Sequence, residues 1–566
     1  MKNYSFAGLL VAVGCLAACG GSFGDAPGSS GAGSSDGGSG QTNGGSGTNG
    51  DTDSGGGVSN LDGGSVDPGP TFSFVPADGP VQVVVQEQPA TIPIAIHRGI
   101  TPGTNIKIDI TSAPDGISPV GTLTILPGSN TGSLLLSVGA TSPQGDVTVK
   151  LRGLADGATI PVTMDLQLFV RGKPGALDTT FAPGGVIENT LNDYFSIGDI
   201  VPQSDGKILI GANGGNGGTS AVIRLNADGL VDSTLTDTPI QKISGILGGV
   251  AAYPDGRILT LRVGTIDRYT AAGVPDPTFS SVVTTASPPT GWDVVSLSTI
   301  ALGPNDSIYA GGVIYFNWNK PGNSFPYAFR QFPADGVPGC TGVWNNDQDL
   351  NFIRKLFLLP TGAFAGSLAF AGTAVMNGLG SGKGIGVGRY KQPSSCTLDP
   401  NYGNNAENKG TWYSTDWKYL SDVLFETDGS VDLLAGTSTS ARSLVRISKD
   451  GQQATYVDLP LYNGNGITRT SNGRYLIAGQ YEDSTTGNTS MAIVYYNSGL
   501  TIDTTIGDQN GIVTIPVTTN LTGSNVTGLR AVYMPDNSRT VVVGSVSGKN
   551  ADGNSVTHLV VARIWN

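Results

Sequence analysis

The sequence predicts an all-β protein in which a seven-bladed β-propeller follows an immunoglobulin-like β-sandwich. Three observations predict this fold. A short phrase that joins a tight turn to an apolar strand recurs seven times after residue 200. The segment before these repeats contains stretches of alternating apolar and polar residues. The chain has 85 Gly among 566 residues and only 13% charged residues. This composition favours strands and turns over helices.

Residues 1–19 are predicted to be a lipoprotein signal peptide. Lys2 supplies a positive charge, Phe6–Val13 is an apolar run too short to span a bilayer, and LAAC (Leu16–Cys19) places small residues before a cysteine. This arrangement resembles a bacterial lipoprotein signal. The resemblance implies a lipid anchor at Cys19, a membrane as partner and export to the outer membrane or cell surface of a bacterium. An ordinary cleavable signal, with Cys19 incidental, is the alternative.

Residues 20–70 are predicted to be a disordered tether. They are almost all Gly, Ser, Asn, Thr and Asp, with no Lys or Arg. Such a segment cannot bury an apolar core. A flexible chain of this length reaches on the order of 40 Å. It would therefore hold a folded body away from the lipid surface.

Residues 71–172 are predicted to form the β-sandwich. Seven segments alternate apolar and polar residues in whole or in part: Val81–Gln86, Thr91–His97, Asn105–Thr111, Gly121–Leu126, Gly132–Val138, Asp146–Arg152 and Pro161–Val170. Alternation is typical of strands with one buried and one solvated face. Seven or eight such strands within about a hundred residues indicate a sandwich of immunoglobulin type. The Cys…Trp…Cys spacing of true immunoglobulin domains is absent, so the likeness is a general one.

Residues 173–566 are predicted to form the propeller. The first phrase occurs as Gln203–Gly211, Tyr253–Leu261, Gly303–Gly311, Leu359–Ser367, Glu426–Gly436, Thr470–Gly479 and Met534–Gly544. A second phrase follows each first one, as Ala221–Gly229, Ile266–Gly273, Phe329–Gly336, Val387–Tyr390, Leu444–Gly451, Ile493–Gly499 and Val560–Ile564. Two hairpins make four strands in each repeat of roughly fifty residues, which is typical of a propeller blade.

The ends of the repeat region predict how the propeller closes. The stretch Leu177–Thr190 matches the tail of a later repeat, Ile502–Thr514, although it precedes the first complete repeat. The last segment, Val560–Asn566, has no such tail. We therefore expect the N-terminal strand of this region to complete the last blade and leave no open sheet edge.

The repeat phrases resemble a known family. SDGKILI (Ser204–Ile210), RLNADG (Arg224–Gly229) and LDTTFAPGG (Leu177–Gly185) are similar to the delta-sixty repeat of large exported bacterial proteins. The likeness covers about residues 175–566 and is strongest in the first repeat. The resemblance implies a β-propeller and no established enzymatic activity.

The sequence does not predict an enzyme. The chain has two His, of which His97 should face solvent and His558 begins the final strand. A zinc site or a Ser-His-Asp triad needs His in a specific cluster, so we expect no catalytic residue, no metal and no cofactor. The net charge of −13 argues against nucleic acid and against an anionic membrane surface as partners.

Acidic and basic residues recur at fixed points of the repeats. The acids at turns are Asp205, Asp228, Asp255, Asp335, Asp428 and Asp450, and the bases on third strands are Arg224, Arg268, Arg330, Arg389, Arg446 and Arg563. We expect the acids to cap turns and each Arg to pack its stem on the sheet and pair its head with a turn acid.

The variable loops carry the predicted binding site. Connections between the repeated turns should meet on one propeller face, and they are rich in aromatic residues. The candidate ligand-binding residues are Trp292, Trp318, Trp344, Trp412, Trp417 and Tyr481. Aromatic rings on loops suit a glycan, a peptide or a surface partner. The alternative is that these rings pack the loops onto the propeller, in which case they have no ligand.

Three further alternatives remain open at this level. Cys340 and Cys396 either form a disulfide, as export would allow, or are two buried thiols. An enzyme that acts on a polysaccharide could use acids in the propeller funnel. The candidate acids are Asp347, Asp349, Asp416, Glu482 and Asp483. A purely structural envelope component is the third alternative.

Overall fold

In the computed structural model, the regular secondary structure of the described residues is almost all β-strand, with a few short 3₁₀ turns. The described residues are 72–76, 81–99, 103–189, 194–214, 219–235, 243–262, 264–283, 294–315, 327–332, 341–344, 349–359, 364–376, 383–392, 397–404, 410–438, 442–482, 489–507, 510–516, 522–534 and 538–566. The predicted signal peptide with Cys19, the predicted tether and the predicted cysteine pair Cys340 and Cys396 lie outside these ranges.

The N-terminal unit, residues 72–171, contains nine strands in two sheets. The strands are β1 (Phe72–Phe74), β2 (Gln82–Val85), β3 (Pro89–Arg98), β4 (Ile106–Ser112), β5 (Ile117–Pro119), β6 (Leu123–Ile125), β7 (Thr131–Val138), β8 (Gly145–Ala155) and β9 (Val162–Arg171). One sheet has the order β1-β3-β7-β5 and the other β2-β9-β8-β4-β6. Each of the seven predicted segments contains a strand, whereas β1 and β5 were not predicted.

The alternation of buried and exposed residues along the strands explains how the two sheets pack. In β8 the residues are buried and exposed in strict turn along all eleven positions. The buried residues of both sheets, such as Ile94, Leu136 and Leu151, form one apolar core. The two sheets therefore face each other across that core, and His97 lies on the exposed side as expected.

Seven sheets follow the N-terminal unit within the described residues. Sheet 1 contains β11 (Tyr194–Pro202), β12 (Ile208–Gly214), β13 (Thr219–Leu225) and β14 (Ile243–Ser244). Sheet 2 contains β15 (Leu247–Ala252), β16 (Ile258–Arg262), β17 (Thr265–Tyr269) and β18 (Val282–Val283). Sheet 3 contains β19 (Val294–Leu302), β20 (Ile308–Tyr315), β21 (Tyr327–Phe332) and β22 (Thr341–Trp344). Sheets 4 and 5 contain β23 (Asp349–Leu358), β24 (Leu368–Met376), β25 (Lys383–Gln392), β26 (Thr397–Leu398) and β27 (Thr411–Ser414); and β28 (Tyr419–Phe425), β29 (Val431–Gly436), β30 (Ser443–Ile447) and β31 (Ala454–Asp458). Sheets 6 and 7 contain β32 (Tyr462–Arg469), β33 (Tyr475–Glu482), β34 (Thr489–Tyr496) and β35 (Ile512–Ile515); and β36 (Thr522–Met534), β37 (Arg539–Lys549), β38 (Ser555–Trp565) and the early strand β10 (Val186–Asn189). Short 3₁₀ turns lie at Pro183–Gly185, Ser233–Leu235 and Pro304–Asp306.

The sheets close into a β-propeller. The first strand of each sheet contacts the first strand of the next sheet, and β36 of sheet 7 contacts β11 of sheet 1. The early strand β10 pairs with β38, so Val186 lies opposite Ala562. The predicted closure of the last sheet by the N-terminal strand is thus confirmed. Closure removes one open edge that would otherwise expose unpaired backbone groups.

Apolar residues between neighbouring sheets hold the propeller together. One core cluster joins Val387 of sheet 4 to Val423 and Leu433 of sheet 5. Another joins Ile493 of sheet 6 to Val560 of sheet 7. Burial of such side chains stabilises the fold by about 1.5–3 kcal/mol each.

Buried arginines fasten several sheets to the next one. The Arg224 Nε lies 2.7 Å from Asp232 Oδ2, and its Nη1 donates to the Ala271 carbonyl of sheet 2 at 2.6 Å. Arg389 repeats the arrangement with Asp399 and the Lys449 carbonyl. These Arg heads pair with acids, but the partners are not the predicted turn acids. The Arg224 partner is Asp232, four residues after the turn acid Asp228. The N–H and the hydroxyl of Thr234 donate hydrogen bonds to Asp232 Oδ1, and these bonds hold the Asp232 carboxylate beside Arg224. Burial alone would raise the pKa of Asp232, but hydrogen bonds from Thr234 and Lys207 and the charge of Arg224 hold that pKa below its usual range.

Five of the six predicted turn acids cap their own turns, and the sixth, Asp335, lies outside the described residues. The Asp228 carboxylate accepts from the Leu230 N–H at 3.0 Å, and Asp428 accepts from the Ser430 N–H at 2.9 Å. The same contact occurs at Asp205, Asp255 and Asp450. These hydrogen bonds fix the tight turns between strands one and two and between strands three and four.

The N-terminal unit packs on sheet 7 of the propeller. The Trp565 ring lies edge-on to Phe169 with ring centroids 6.1 Å apart, and its Nε1 donates to Gln144 Oε1 at 2.8 Å. The Gln144 amide also donates to the Leu177 carbonyl, at 3.1 Å. Trp565 thus serves an internal contact between the two parts of the chain.

Candidate functional site

The propeller has two faces of different character. The turns between strands one and two and between strands three and four define the turn face. The connections between strands two and three, together with those between sheets, define the loop face. In sheet 5 the turn face carries residues 426–430 and 448–453, and the loop face carries 415–418, 437–438, 442 and 459–461.

A cleft of about 490 Å³ opens on the loop face of sheet 5. It is lined by Asp416, Trp417, Thr437, Arg442, Ser443, Tyr456, Asp458 and Leu459. Small-molecule sites commonly enclose about 300–1,000 Å³ and combine aromatic walls with a few polar groups. The cleft has both the volume and the lining of such a site.

A ladder of three aromatic rings leads from the core to the mouth of the cleft. The Trp412 and Trp417 ring centroids are 6.2 Å apart, and Trp417 meets Tyr456 edge-on at 5.6 Å. Trp412 is 2% exposed, Trp417 is 7% exposed and Tyr456 is 62% exposed. The buried rings hold Trp417 in place, and Trp417 supports the Tyr456 ring that solvent reaches.

Local hydrogen bonds position the two carboxylates of the cleft. Ser414 ends β27, and its hydroxyl accepts from the Asp416 N–H at 3.1 Å and donates to Asp416 Oδ2 at 3.2 Å. Ser443 begins β30 and donates from its hydroxyl to Asp458 Oδ1 at 2.7 Å across the β30–β31 pair. Asp416 and Asp458 are both exposed.

The base of the cleft is Arg442, which is turned toward the protein. Its Nε donates to Ser421 Oγ at 2.6 Å and its Nη1 donates to the Ser438 carbonyl at 2.5 Å. Burial lowers the pKa of Arg442. The formal charge of the lining side chains is −1, from two aspartates and one arginine.

The predicted site residues do not gather in one place. Trp412 lies in the core between sheets 4 and 5 because β27 pairs with β25. The Trp412 ring is 2% exposed and packs within the propeller, which is the alternative stated above for these rings. Tyr481 is half-buried against the core cluster of sheets 5 and 6 and does not line the cleft. Trp292 and Trp318 lie outside the described residues, and Trp344 is described only as the last residue of β22.

Sequence reasoning missed Tyr456, Arg442 and Asp458. Tyr456 lies on β31, the outermost strand of its sheet, whereas the predicted ligand-binding residues are aromatic residues of variable loops. The sequence does carry one signal for Tyr456. It is a large aromatic residue that follows the small and polar residues Gly451–Thr455 and lies two residues before Asp458. Such a residue on an outer strand is exposed unless another segment covers it.

A second group of charged residues lies at the propeller axis. Every innermost strand has a register shift at the same depth, and the residue at that depth is Asp199, Gly249, Thr299, Lys355, Asp422, Gly466 or Arg530 in sheets 1 to 7. We call this set the ring position. A bulge re-aims side chains and increases local twist, which here turns polar groups toward the axis.

Along successive sheets, the residue at the ring position is basic, then acidic, then glycine, and this order occurs twice. Lys355, Asp422 and Gly466 occupy sheets 4 to 6, and Arg530, Asp199 and Gly249 occupy sheets 7, 1 and 2. Each acid accepts from the backbone N–H that follows the next glycine. Asp422 Oδ2 bonds Ile467 N at 2.9 Å, and Asp199 Oδ2 bonds Val250 N at 2.8 Å. Glycine is needed at position 466 because a Cβ there would lie 2.7 Å from Ala531 N.

The two acids differ in how they are satisfied. Asp422 Oδ1 also lies 3.2 Å from Lys355 Nζ. Asp199 Oδ1 is buried without a hydrogen-bond partner among the described residues. Burial raises the pKa of Asp199 to about 7, against the lowering effects of the Val250 N–H and of the charges on Lys355 and Arg530. Asp199 and Asp422 are 2% and 5% exposed, so neither carboxyl is open to a polymer substrate.

The described residues give no sign of a metal site or of a membrane-spanning helix. Within the ranges given above, no group of three or more His, Cys, Asp or Glu side chains is placed to hold a metal ion. No helix in those ranges has the length and apolar character that crossing a membrane requires.

One family matches a short part of the chain. Residues 203–235, which span β12 and β13 of sheet 1, match the family described as "Domain of unknown function (DUF5122) beta-propeller". The description agrees with the propeller built by the seven sheets. No curated protein matches this chain.

Several solved structures are similar at low identity. Puromycin hydrolase is 12% identical with a TM-score of 0.38, and the match covers 68% of this chain and 55% of the hydrolase. Polysaccharide lyase Uly1 is 11% identical with a TM-score of 0.39, over 67% of this chain and 98% of the lyase. An auxiliary nutrient binding protein from Bacteroides ovatus is 11% identical with a TM-score of 0.33, over 75% of this chain and 97% of that protein.

Proposed function

We propose that this protein is a cell-envelope lipoprotein that binds a glycan, without enzymatic chemistry, in the loop-face cleft of sheet 5. The observation that carries the proposal is the exposed Tyr456 ring, fixed by Trp417 and flanked by two carboxylates in a cleft of about 490 Å³. An aromatic ring offers flat apolar area to the face of a sugar ring, and carboxylates accept hydrogen bonds from its hydroxyls.

The surrounding architecture supports a binding role. The cleft lies on the variable loop face, whereas capped turns and buried Arg–Asp pairs occupy the turn face. A rigid scaffold that carries a polar cleft on its loops is a common arrangement for recognition. A delta-sixty propeller held on a lipid anchor at Cys19 would present this cleft outside the membrane.

A polysaccharide-acting enzyme is the second candidate. The observation that favours it is the Asp199 carboxyl at the axis, whose pKa is raised to about 7 by burial. A group that keeps its proton near neutral pH is a candidate general acid. The burial of Asp199 and Asp422 argues against this role, because a polymer cannot reach either carboxyl in the described arrangement.

The test is retention of polysaccharides by the full chain, with release of soluble fragments measured in the same samples. We expect retention without fragments, and an affinity at least tenfold weaker for Tyr456→Ala than for Tyr456→Phe, which keeps the ring. Equal affinities of these two variants would remove the cleft as the binding site. Fragment release that Asp199→Asn abolishes would favour the enzyme instead.

The lipid anchor has its own test. When cells that express the protein are grown with radiolabelled palmitate, the wild type should become labelled. The Cys19→Ser variant should remain unlabelled and should be absent from the membrane fraction. Equal labelling of both chains would contradict lipidation at Cys19.

A further inference from the structure

The mouth of the cleft carries two carboxylates that keep free acceptor oxygens. Each receives one hydrogen bond from a serine hydroxyl, on Asp416 Oδ2 and on Asp458 Oδ1. Neither Asp416 Oδ1 nor Asp458 Oδ2 accepts a hydrogen bond from a described residue. The two acids come from different segments, one before β28 and one at the end of β31, and the Trp417–Tyr456 pair lies with them in the lining.

The positively charged side chain of the cleft, Arg442, already donates hydrogen bonds to other parts of the protein. Arg442 is 7% exposed and directs its Nε and Nη1 to Ser421 and Ser438. The exposed aromatic and charged groups of the lining are therefore the Tyr456 ring and two carboxylates. Aromatic faces attract cations by about 0.5–1 kcal/mol at exposed sites, and carboxylates accept the N–H bonds of an ammonium group.

We propose that the cleft selects a glycan that carries a free ammonium group, as an unacetylated amino sugar does. This inference rests on the proposed glycan-binding function and names its ligand class. The ammonium would lie against the Tyr456 ring and donate to Asp416 and Asp458, while the sugar ring packs on the aromatic surface. An N-acetylated sugar has no charge at that nitrogen and loses these contacts. The net charge of −13 adds a long-range attraction for a cationic polymer.

The experiment compares glucosamine oligomers with N-acetylglucosamine oligomers of equal length, titrated into the full chain by calorimetry. We expect the acetylated oligomer to bind at least tenfold more weakly. Asp458→Asn and Asp416→Asn should each weaken the amino oligomer about fivefold and weaken the acetylated one by a smaller factor. Asp115→Asn, which removes an exposed carboxylate of the N-terminal unit, is the matched control and should change neither affinity.

The outcomes separate the ammonium inference from the proposed function. Equal affinities for the two oligomers would overturn the ammonium contact and leave glycan binding in place. Binding of neither these oligomers nor any neutral or acidic glycan would contradict both. A lysine peptide that binds more tightly than the amino oligomer would assign the ammonium to a peptide and overturn the glycan part.

Discussion

The carboxylate of Asp178 lies 2.7 Å from the Nε of Arg563, a residue 385 positions later in the chain. Asp178 precedes the first complete repeat and Arg563 lies on β38, the last strand. The same Asp178 oxygen lies 2.8 Å from Arg539 Nε, and the carboxylate is fully buried. This contact ties the beginning of the propeller region to its end, where β10 joins β38.

The first prediction concerns this contact. Asp178→Ala leaves two buried guanidinium groups without their acid, so it should lower the free energy of unfolding by about 3–5 kcal/mol. Urea denaturation followed by tryptophan fluorescence measures the change. Asp228→Ala removes an exposed turn cap and should cost about 1 kcal/mol. Equal losses for both variants would show that Asp178 acts only as a turn residue.

The second prediction concerns Asp199 and pH. Its pKa of about 7 in the folded state exceeds the 3.8 of an ordinary Asp, so the folded protein holds a proton that the unfolded chain has released. The contribution of Asp199 to the free energy of unfolding is therefore largest below about pH 4. It falls by about 4 kcal/mol as the pH rises to about 7. Asp199→Asn cannot ionise and should remove this loss.

Urea midpoints of the wild type and of Asp199→Asn, taken between pH 4.5 and 8, measure the difference. The variant should gain stability relative to the wild type as the pH rises. Asp205→Asn, an exposed turn acid, is the control and should follow the wild type. Parallel pH profiles for the wild type and Asp199→Asn would refute the raised pKa.

The third prediction concerns glycine at the ring position. A Cβ on Gly466 would lie 2.7 Å from Ala531 N and 2.8 Å from Arg530 Cα, which are main-chain atoms of sheet 7. Gly466→Ala should therefore destabilise the propeller by about 1–3 kcal/mol. Gly103→Ala places its Cβ in open space and should be nearly neutral. Thermal unfolding of the two variants compares them, and a neutral Gly466→Ala would mean that the innermost strands can separate without cost.

The fourth prediction separates the two ends of the aromatic ladder. Trp412→Ala empties a core position between sheets 4 and 5 and should cost about 3–5 kcal/mol. Tyr456→Ala changes an exposed side chain and should alter stability by about 0.5 kcal/mol or less while it weakens ligand binding at least tenfold. Denaturation and binding measured on the same preparations test both. A stable Trp412→Ala protein would contradict the core assignment.

Much of the fold follows from local patterns in the sequence. The recurring Asp-Gly turns and short apolar strands predict four-stranded sheets because turn chemistry and strand periodicity act over a few neighbouring residues. The tail-like stretch at Leu177–Thr190 predicts the closure that β10 and β38 make. The fixed phases of the repeated Asp and Arg residues predict capped turns and buried ion pairs, as observed at Asp228 and Arg224.

The tertiary structure decided what local patterns do not encode. The ring position unites Asp199, Lys355, Asp422 and Arg530. These residues stand up to 331 positions apart, and their contact depends on closure of the propeller. Trp412 reads as a loop residue in the sequence and becomes a core residue because β27 pairs with β25. Tyr456 becomes a candidate ligand contact because the segments around it leave its ring uncovered. Local turn and strand preferences determined the sheets of this protein, whereas burial and charge, which depend on how distant sheets meet, decided which side chains remain available to a ligand.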